Sequence, residues 1–552
     1  MRTLLSAEKN LNFDGTATPL KISLFLLVCL AWLLPGLTGH TPWKYDEAVS
    51  QGIVHSLVHG GGSWLSPDLA GEPYLTHPPL YYWVAAALTG ALQGLLPHHD
   101  AARLASGCFM AVTMLGIALG ARDLFGPRAM RVSVLMLIGS VGLVIRAHEM
   151  SSDLAWLTGI TWTLMAIPLA RTRSALAGIF GGLGFGMAFL SQGSLAFGLL
   201  LPIVLLTPLL VPDYRPEHPL RHALAWLLSA APFLIVWPWA LYAHAPHLFS
   251  LWWSVLGNPV LHPTLWRASD AIPTYYLGVA AWFAWPAAPL ALGALWNGGL
   301  RGLAKPQTRF LLLTLIVMLL VLGFCTTPRE SNALPLLLPL VLLASGGIDT
   351  MRRGAASAFD WFGMLTFGLV TAVLWLGWVA QLTGQPAQIV NYLDAQLPGY
   401  HATFQPAAFG VSLGLTLLWA VTILRSRQSA RRALVNWTVG MTVSWMLVMT
   451  LWLPYVEASR SYQGMMQSLA KAIPPHAGCI ASSGLGEPQR GLLYYFLNIR
   501  TQRLELGTRT RCHLWLVQSR PHESFAVPPG WQLLWTGARA GDRTERFQLF
   551  EY

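Results

Sequence analysis

Apolar residues run through this chain in blocks of roughly 15 to 24, from Ile22 to Leu453, divided by short polar stretches. Wound at about 1.5 Å per residue, such a block covers the roughly 30 Å hydrocarbon core of a bilayer. The pattern predicts a succession of membrane-spanning helices over 1–453. From Pro454 to Tyr552 the pattern becomes that of a soluble sequence. Met465, Leu469 and Ala472 recur at helical spacing within Ser461–Ala472, and Leu492–Phe496 suits a second helix. Cys479–Gly484, His513–Val517, Trp531–Trp535 and Phe547–Phe550 read as short strands. Residues 454–552 are therefore expected to form a small α/β domain. Gly484, Gly486 and Gly491 fall near its helix but lack the long strand–turn–helix context of a dinucleotide fingerprint.

Composition agrees: 54% of the 552 residues are hydrophobic and 11% charged, where a soluble domain carries about 25% charged residues. The net charge of +11 does not argue for nucleic acid, because the arginines sit in clusters between apolar blocks. Such clusters mark cytoplasmic loops. They are Arg2 with Lys9 and Lys21; Arg122, Arg128 and Arg131; Arg171 with Arg173; Arg215 with Arg221; Arg301, Lys305 and Arg309; Arg352 with Arg353; and Arg425, Arg427, Arg431 and Arg432. The first block lacks a following small-residue cleavage site and is expected to stay as a helix.

Cytoplasmic clusters need an even number of crossings between them. Two blocks separate each pair from Arg173 onward, but three lie between Lys21 and Arg122: Ile22–Leu37, Pro79–Leu96 and Leu104–Gly120. Pro79–Leu96, interrupted by Gly90 and Gly94, is the weakest, and parity requires that it not cross. About thirteen crossings remain by the helix-length criterion, with the tail on the outer side. The outer loops are then Thr38 to Pro78, the stretch holding Ser151 to Asp153, Pro246 to Pro273, Thr326 to Ala333, and Thr383 to Pro406. Cys29, Cys108 and Cys325 fall in or beside apolar blocks and read as packing residues. Cys479 and Cys512 each open a predicted strand. They either bridge, if the tail lies in an oxidising compartment and the strands are neighbours in register, or remain two buried thiols.

The candidate chemistry gathers on the outer side. Asp46 and Glu47 follow Trp43, Lys44 and Tyr45 in the first outer loop, either as reactive carboxylates or as acids favoured by a helix N-terminus. The same loop ends in Thr76-His77-Pro78-Pro79-Leu80 with Tyr81, Tyr82 and Trp83 behind, a helix opening with interfacial aromatics. Arg146-Ala147-His148-Glu149-Met150-Ser151-Ser152-Asp153 joins two blocks. Asp153 there either serves the site or pairs with Arg146.

Asp-Glu in the first outer loop, His-Pro-Pro-Leu opening the next segment and an Asp heading a later helix together resemble the protein mannosyltransferase and aminoarabinose transferase superfamily, of the GT-C class. The resemblance covers about the first 350 residues and continues in Ile272–Leu277 and in Leu334-Pro335 beside Arg329. It departs where the aminoarabinose branch carries Glu-Lys and this chain has Thr76-His77. It departs again where Lys-Gly reads Gln192-Gly193, and where a Lys before Leu-Pro is replaced, Arg329 being the nearest cation. The resemblance implies a polytopic α-helical membrane protein with a GT-C fold and a small α/β periplasmic domain, in a bacterial inner membrane with an outward-facing site.

It further implies transfer of a sugar from a polyprenyl-phosphate donor to a lipid or glycan acceptor such as lipid A, with membrane lipids as surroundings and no nucleotide. Asp46 would be the base or the group orienting the acceptor, with Glu47 and Asp153 sharing the site. His77, Arg329, Gln192 and His262 would be substrate-binding residues. No cofactor is certain, and a divalent metal ion at the carboxylates is left open. The competing class is a transporter or flippase of envelope lipids, which places ionisable residues inside its spans. Phe310–Phe324, Leu334–Ala344 and Ala407–Leu424 hold none.

Overall fold

The computed structural model describes residues 19–43, 45–256, 274–425, 429–476, 478–507, 511–523 and 527–552. Helices dominate, and most are apolar. Seven are long and apolar enough to cross a membrane among the described residues, and two bent pairs raise the number to nine. Pro219–His244 and Pro406–Ile423 have only 17% and 11% of their most apolar windows buried by protein. Apolar helices left this bare in a folded protein belong against lipid. The chain is a polytopic membrane protein.

The amino-terminal part builds the site. Helix α1 (Pro19–Leu33) is followed by α2 (Asp46–Val58), which is buried over Glu47–Leu57. Two short antiparallel strands, β1 (Asp68–Leu69) and β2 (Glu72–Pro73), turn through Ala70 and Gly71, both at positive φ. Helix α3 (Leu80–Ala91) has 12 residues, about 18 Å of helix, and is too short to cross. Helix α4 (His98–Phe125) is long.

The next block does not make one helix. It divides into α5 (Ala129–Ile138) and α6 (Leu143–Arg146). The break is held by protein: the Val141 and Gly142 N–H groups donate to the Trp285 and Phe283 carbonyls at 2.9 and 2.8 Å. Those carbonyls lie at the bend between helices Thr274–Phe283 and Ala287–Leu303, which turns by 102°. Each irregular backbone thus satisfies the other, as the apolar setting requires.

Helices α7 (Ser152–Leu169) and α8 (Ser174–Gln192) run antiparallel with their backbones in contact. A Cβ on Gly159 would lie 2.4 Å from the Ala188 nitrogen, and one on Gly184 would lie 2.6 Å from the Thr163 nitrogen. Small residues permit such close approach between apolar helices. The first residues of α7 and the last of α8 therefore share one end of the bundle. Among the arginines between apolar blocks, Arg431 pairs with Asp349 and Arg309 donates to the Leu210 carbonyl.

After a 62° bend, helix Ala430–Val448 gives way to helix Leu453–Arg460, which leads to the tail. The tail holds β3 (Ile480–Ser483), β4 (Gln502–Arg503), β5 (Leu514–Ser519), β6 (Gln532–Gly537) and β7 (Arg546–Glu551), with helices Gln463–Ala472 and Glu487–Leu497. The sheet order is β4-β3-β5-β7-β6; β3 is parallel to β4 and β5, and β7 is antiparallel to β5 and β6. Strand β4 was absent from the sequence reading; its two residues are too few to show a period. Ile480 faces Leu514 across the β3–β5 pair, so Cys479 and Cys512 are neighbours, and they form a disulfide with Cα atoms 5.1 Å apart.

The tail is packed onto the first loop. Ala48 of α2 joins the tail's apolar core with Leu492, Leu493, Leu514 and Phe547. Glu72 pairs with Arg490 at 2.8 Å and Arg503 at 3.1 Å.

Candidate functional site

Asp46 and Glu47 open α2, so the helix dipole favours both carboxylates. Successive residues on a helix point about 100° apart, and here the two go separate ways. Asp46 faces a cavity of about 330 Å³ together with Asp153, His77, Tyr45, Ser151 and Arg329. Glu47 turns inward to Arg103 of α4, 2.8 Å away, and also accepts from the backbone N–H groups of Trp43 and Met150 at 3.1 and 3.3 Å. Glu47 lines the larger of two neighbouring cavities together with Asp46, while its oxygens hold the loop. Burial pushes its pKa up, but the charges of Arg103 and His40 and the hydrogen bonds from Arg103 and the Trp43 N–H together hold it below the usual carboxylate range.

Arg103 is fully buried and serves several partners at once. Besides Glu47 it pairs with Asp100 at 3.1 Å and donates to the carbonyls of Leu37 and His40 at 3.4 and 3.2 Å. Glu457 holds the same loop from the far end of the chain, accepting from the Thr41 hydroxyl at 2.6 Å and the Trp43 indole at 2.8 Å. Together these groups fix the backbone that carries Asp46.

Asp153 sits in the first turn of α7, capped by the Ser151 hydroxyl, which accepts from the Asp153 N–H at 3.2 Å. Its carboxylate accepts from the Gln192 amide at 2.9 Å. The antiparallel contact of α7 and α8 brings this pair together. Gln192 thus holds the Asp153 carboxylate in place. The proposed alternative partner of Asp153, Arg146, is bonded elsewhere: to Glu149 at 2.9 Å and to Asp46 at 3.5 Å.

The charges act on one another. Burial raises the Asp46 pKa, the Asp153 charge raises it further, and Arg146 opposes both. Burial raises Glu149 to about 7 in spite of Arg146. Burial keeps the His77 pKa low although both aspartates favour its charged form, and its Nδ1 is buried without a hydrogen-bond partner. Asp46 with Asp153 is the pair that could hold a divalent cation at this site.

A larger cavity of about 900 Å³ meets the first along Tyr45, Asp46, Arg329 and Ser331. It carries Arg146, Arg329 and Arg460, and its apolar wall includes Ile145, Trp445, Val448 and Met449. Arg329, exposed at the junction, is where the sequence reading put a cation. Arg460, Glu149 and Glu487 were not singled out beforehand. Glu487 comes from the tail and lines the smaller cavity. Glu487 precedes the helix expected at Leu492–Phe496 by five residues, and neither it nor Arg460 belongs to a motif. His262 lies outside the described residues.

Residues 76–242 match the family model for dolichyl-phosphate-mannose-protein mannosyltransferase. An undecaprenyl phosphate-alpha-4-amino-4-deoxy-L-arabinose arabinosyl transferase of Pseudomonas aeruginosa is 27% identical over 78% of this chain and 75% of its own. The protein of the same name from Aeromonas salmonicida is 26% identical over 92% and 93%. Among solved structures, ArnT from Cupriavidus metallidurans bound to undecaprenyl phosphate superposes with a TM-score of 0.69 over 96% of this chain and 97% of that one, at 16% identity. In sequence and in fold this chain is similar to the GT-C aminoarabinose transferases and protein mannosyltransferases. The fold places Asp46 and Asp153 on one cavity wall although they stand 107 positions apart in the sequence.

Proposed function

We propose that the protein transfers a sugar from a polyprenyl-phosphate donor, undecaprenyl phosphate being the carrier in the names of its relatives, to a hydroxyl or phosphate acceptor such as lipid A. The observation that carries this reading is the position of Asp46 on the wall common to two cavities of different character. The larger one suits the donor: its apolar side accepts prenyl chain, and Arg146, Arg329 and Arg460 offer charge to the phosphate. The smaller, polar one suits the sugar and acceptor.

In the reaction the anomeric carbon forms a bond to the acceptor oxygen while its bond to the phosphate oxygen breaks. The electron pair leaves with the lipid phosphate, where the arginines meet the developing charge. Asp46 takes the proton of a hydroxyl acceptor, or orients a phosphate acceptor that has none to give. Its raised pKa makes it a stronger base than an ordinary aspartate. Asp153, held by Gln192, keeps that pKa high and can bind sugar hydroxyls. The site is read as facing the periplasm of a bacterial inner membrane, with the tail on the same side. The matched relatives are named as transferases, and none as a transporter.

Mass analysis of envelope lipids from cells with and without the protein tests the reading. One acceptor should lose a single sugar when the protein is absent. Unchanged glycolipids, or a change only in the leaflet where a lipid resides, would overturn it.

A further inference from the structure

We propose that His55, His59 and His98 form a zinc site that fastens the end of α2 to the start of α4, away from the reacting groups. One ligand atom from each residue lies within 4.8 Å of the other two. The ring centroids of His55 and His59 are 4.1 Å apart, and those of His59 and His98 are 5.3 Å apart. Around tetrahedral zinc, with Zn–N distances of about 2.0 to 2.1 Å, neighbouring nitrogens stand about 3.3 Å apart. Small rotations of three side chains close that difference.

Two further observations point to a ligand. Both ring nitrogens of His55 are buried and without a hydrogen-bond partner, which is costly for a polar side chain that binds nothing. His59 Nδ1 lies 3.0 Å from the His55 carbonyl oxygen. A carbonyl only accepts, so the proton sits on Nδ1 and the Nε2 lone pair is left for a metal, the usual outer support of a ligating histidine. The His55–His59 spacing of four residues puts both rings on one helical face. An all-imidazole set favours zinc, copper or nickel over magnesium or calcium. Three protein ligands leave the fourth position to water on the exposed side of His59.

The site is distinct from the carboxylate pair at the cavities. His55 stands nine residues after Asp46, about 13 Å along the helix. The Tyr494 and Tyr495 rings of helix Glu487–Leu497 meet His55 edge-on at 4.9 and 5.5 Å. The nearby Arg500 is occupied by Tyr494, donating to its hydroxyl at 2.6 Å. The ion would thus lock together α2, α4 and the tail helix packed on them, which fixes the backbone behind Asp46 without touching substrate.

The experiment uses the full-length protein in detergent, purified through a tag free of histidine, stripped with a chelator and titrated with zinc chloride against a chromophoric chelator. The wild type should bind one zinc per chain and melt at a higher temperature with zinc. Cobalt in its place should show the visible bands of a four-coordinate nitrogen site. His59→Asn changes an exposed side chain and so should fold. It should weaken zinc binding roughly tenfold or more, the least loss expected when a ligand goes, and abolish the thermal shift. His98→Gln should do the same. Zinc binding that is absent in the wild type, or equal in wild type and both variants, overturns the site.

Discussion

Arg103→Met is the sharpest test of how the first loop is held. The substitution keeps most of the side-chain volume and removes the charge from a fully buried position. It breaks the 2.8 Å pair with Glu47 and the 3.1 Å pair with Asp100, and it leaves the Leu37 and His40 carbonyls without that donor. Removing one partner of a buried ion pair costs about 3 to 5 kcal/mol, because the other charge stays buried and uncompensated. With an unfolding entropy of about 2.1 cal/mol/K per residue, one cooperative unit of 552 residues would melt about 3 to 4 °C lower. Thermal unfolding in detergent, followed by tryptophan fluorescence at a fixed scan rate, reads this. Adding Glu47→Gln to Arg103→Met should restore part of the loss, since a neutral amide replaces the orphaned carboxylate. Two contacting residues should show such coupling. An unchanged melting point in Arg103→Met, or purely additive losses in the double variant, would refute the account of Arg103 as the clamp of this loop.

Gly52→Ala should loosen the tail: the added Cβ would stand 2.7 Å from the Gly491 Cα, so α2 must move off helix Glu487–Leu497. Faster release of a tail fragment under limited proteolysis checks this. Cys479→Ser opens a bridge spanning 33 positions and should cost the tail about 3 to 4 kcal/mol, read as accelerated hydrogen exchange in β3 and β5. Transfer should also fall as pH drops through the raised pKa of Asp46, because the base must be ionised. Arg146→Gln removes a charge that lowers that pKa and should move the acidic limb to higher pH. Asp153→Asn removes a charge that raises it and should move the limb of any residual rate to lower pH. Limbs that stay in place in both variants would take Asp46 out of the base role.

Much of this arrangement was legible in the sequence, and the reasons differ by element. The tail helices and strands β3, β5, β6 and β7 showed in short apolar runs, and the strand starts at Cys479 and Cys512 pointed to the disulfide. The shortness of the helix in Pro79–Leu96 was signalled by Gly90 and Gly94, which interrupt that block. Asp46, Asp153, His77 and Arg329 were found because charged residues are conspicuous in so apolar a chain. Adjacency in sequence hides the 100° turn between helix neighbours, so the Glu47–Arg103 pair was not legible. Arg103 stands just outside the block Leu104–Gly120 and belongs to none of the arginine clusters. The break at Gly142 was not legible, since it depends on two carbonyls some 140 residues later. Nor was the joining of two cavities at Asp46, which needs side chains from Tyr45 to Glu487 placed together.

The most direct measurement is sugar transfer by the purified protein and its Asp46→Asn variant, given a polyprenyl-phosphate sugar and a lipid acceptor and followed by mass spectrometry. The wild type should release polyprenyl phosphate and glycosylate the acceptor in equal amounts. Asp46→Asn, folded to the same melting point, should be slower by about 10² to 10⁴, the usual loss when a general base is removed. Transfer at the wild-type rate by Asp46→Asn, or a lipid-linked sugar left intact by the wild type, would contradict the account.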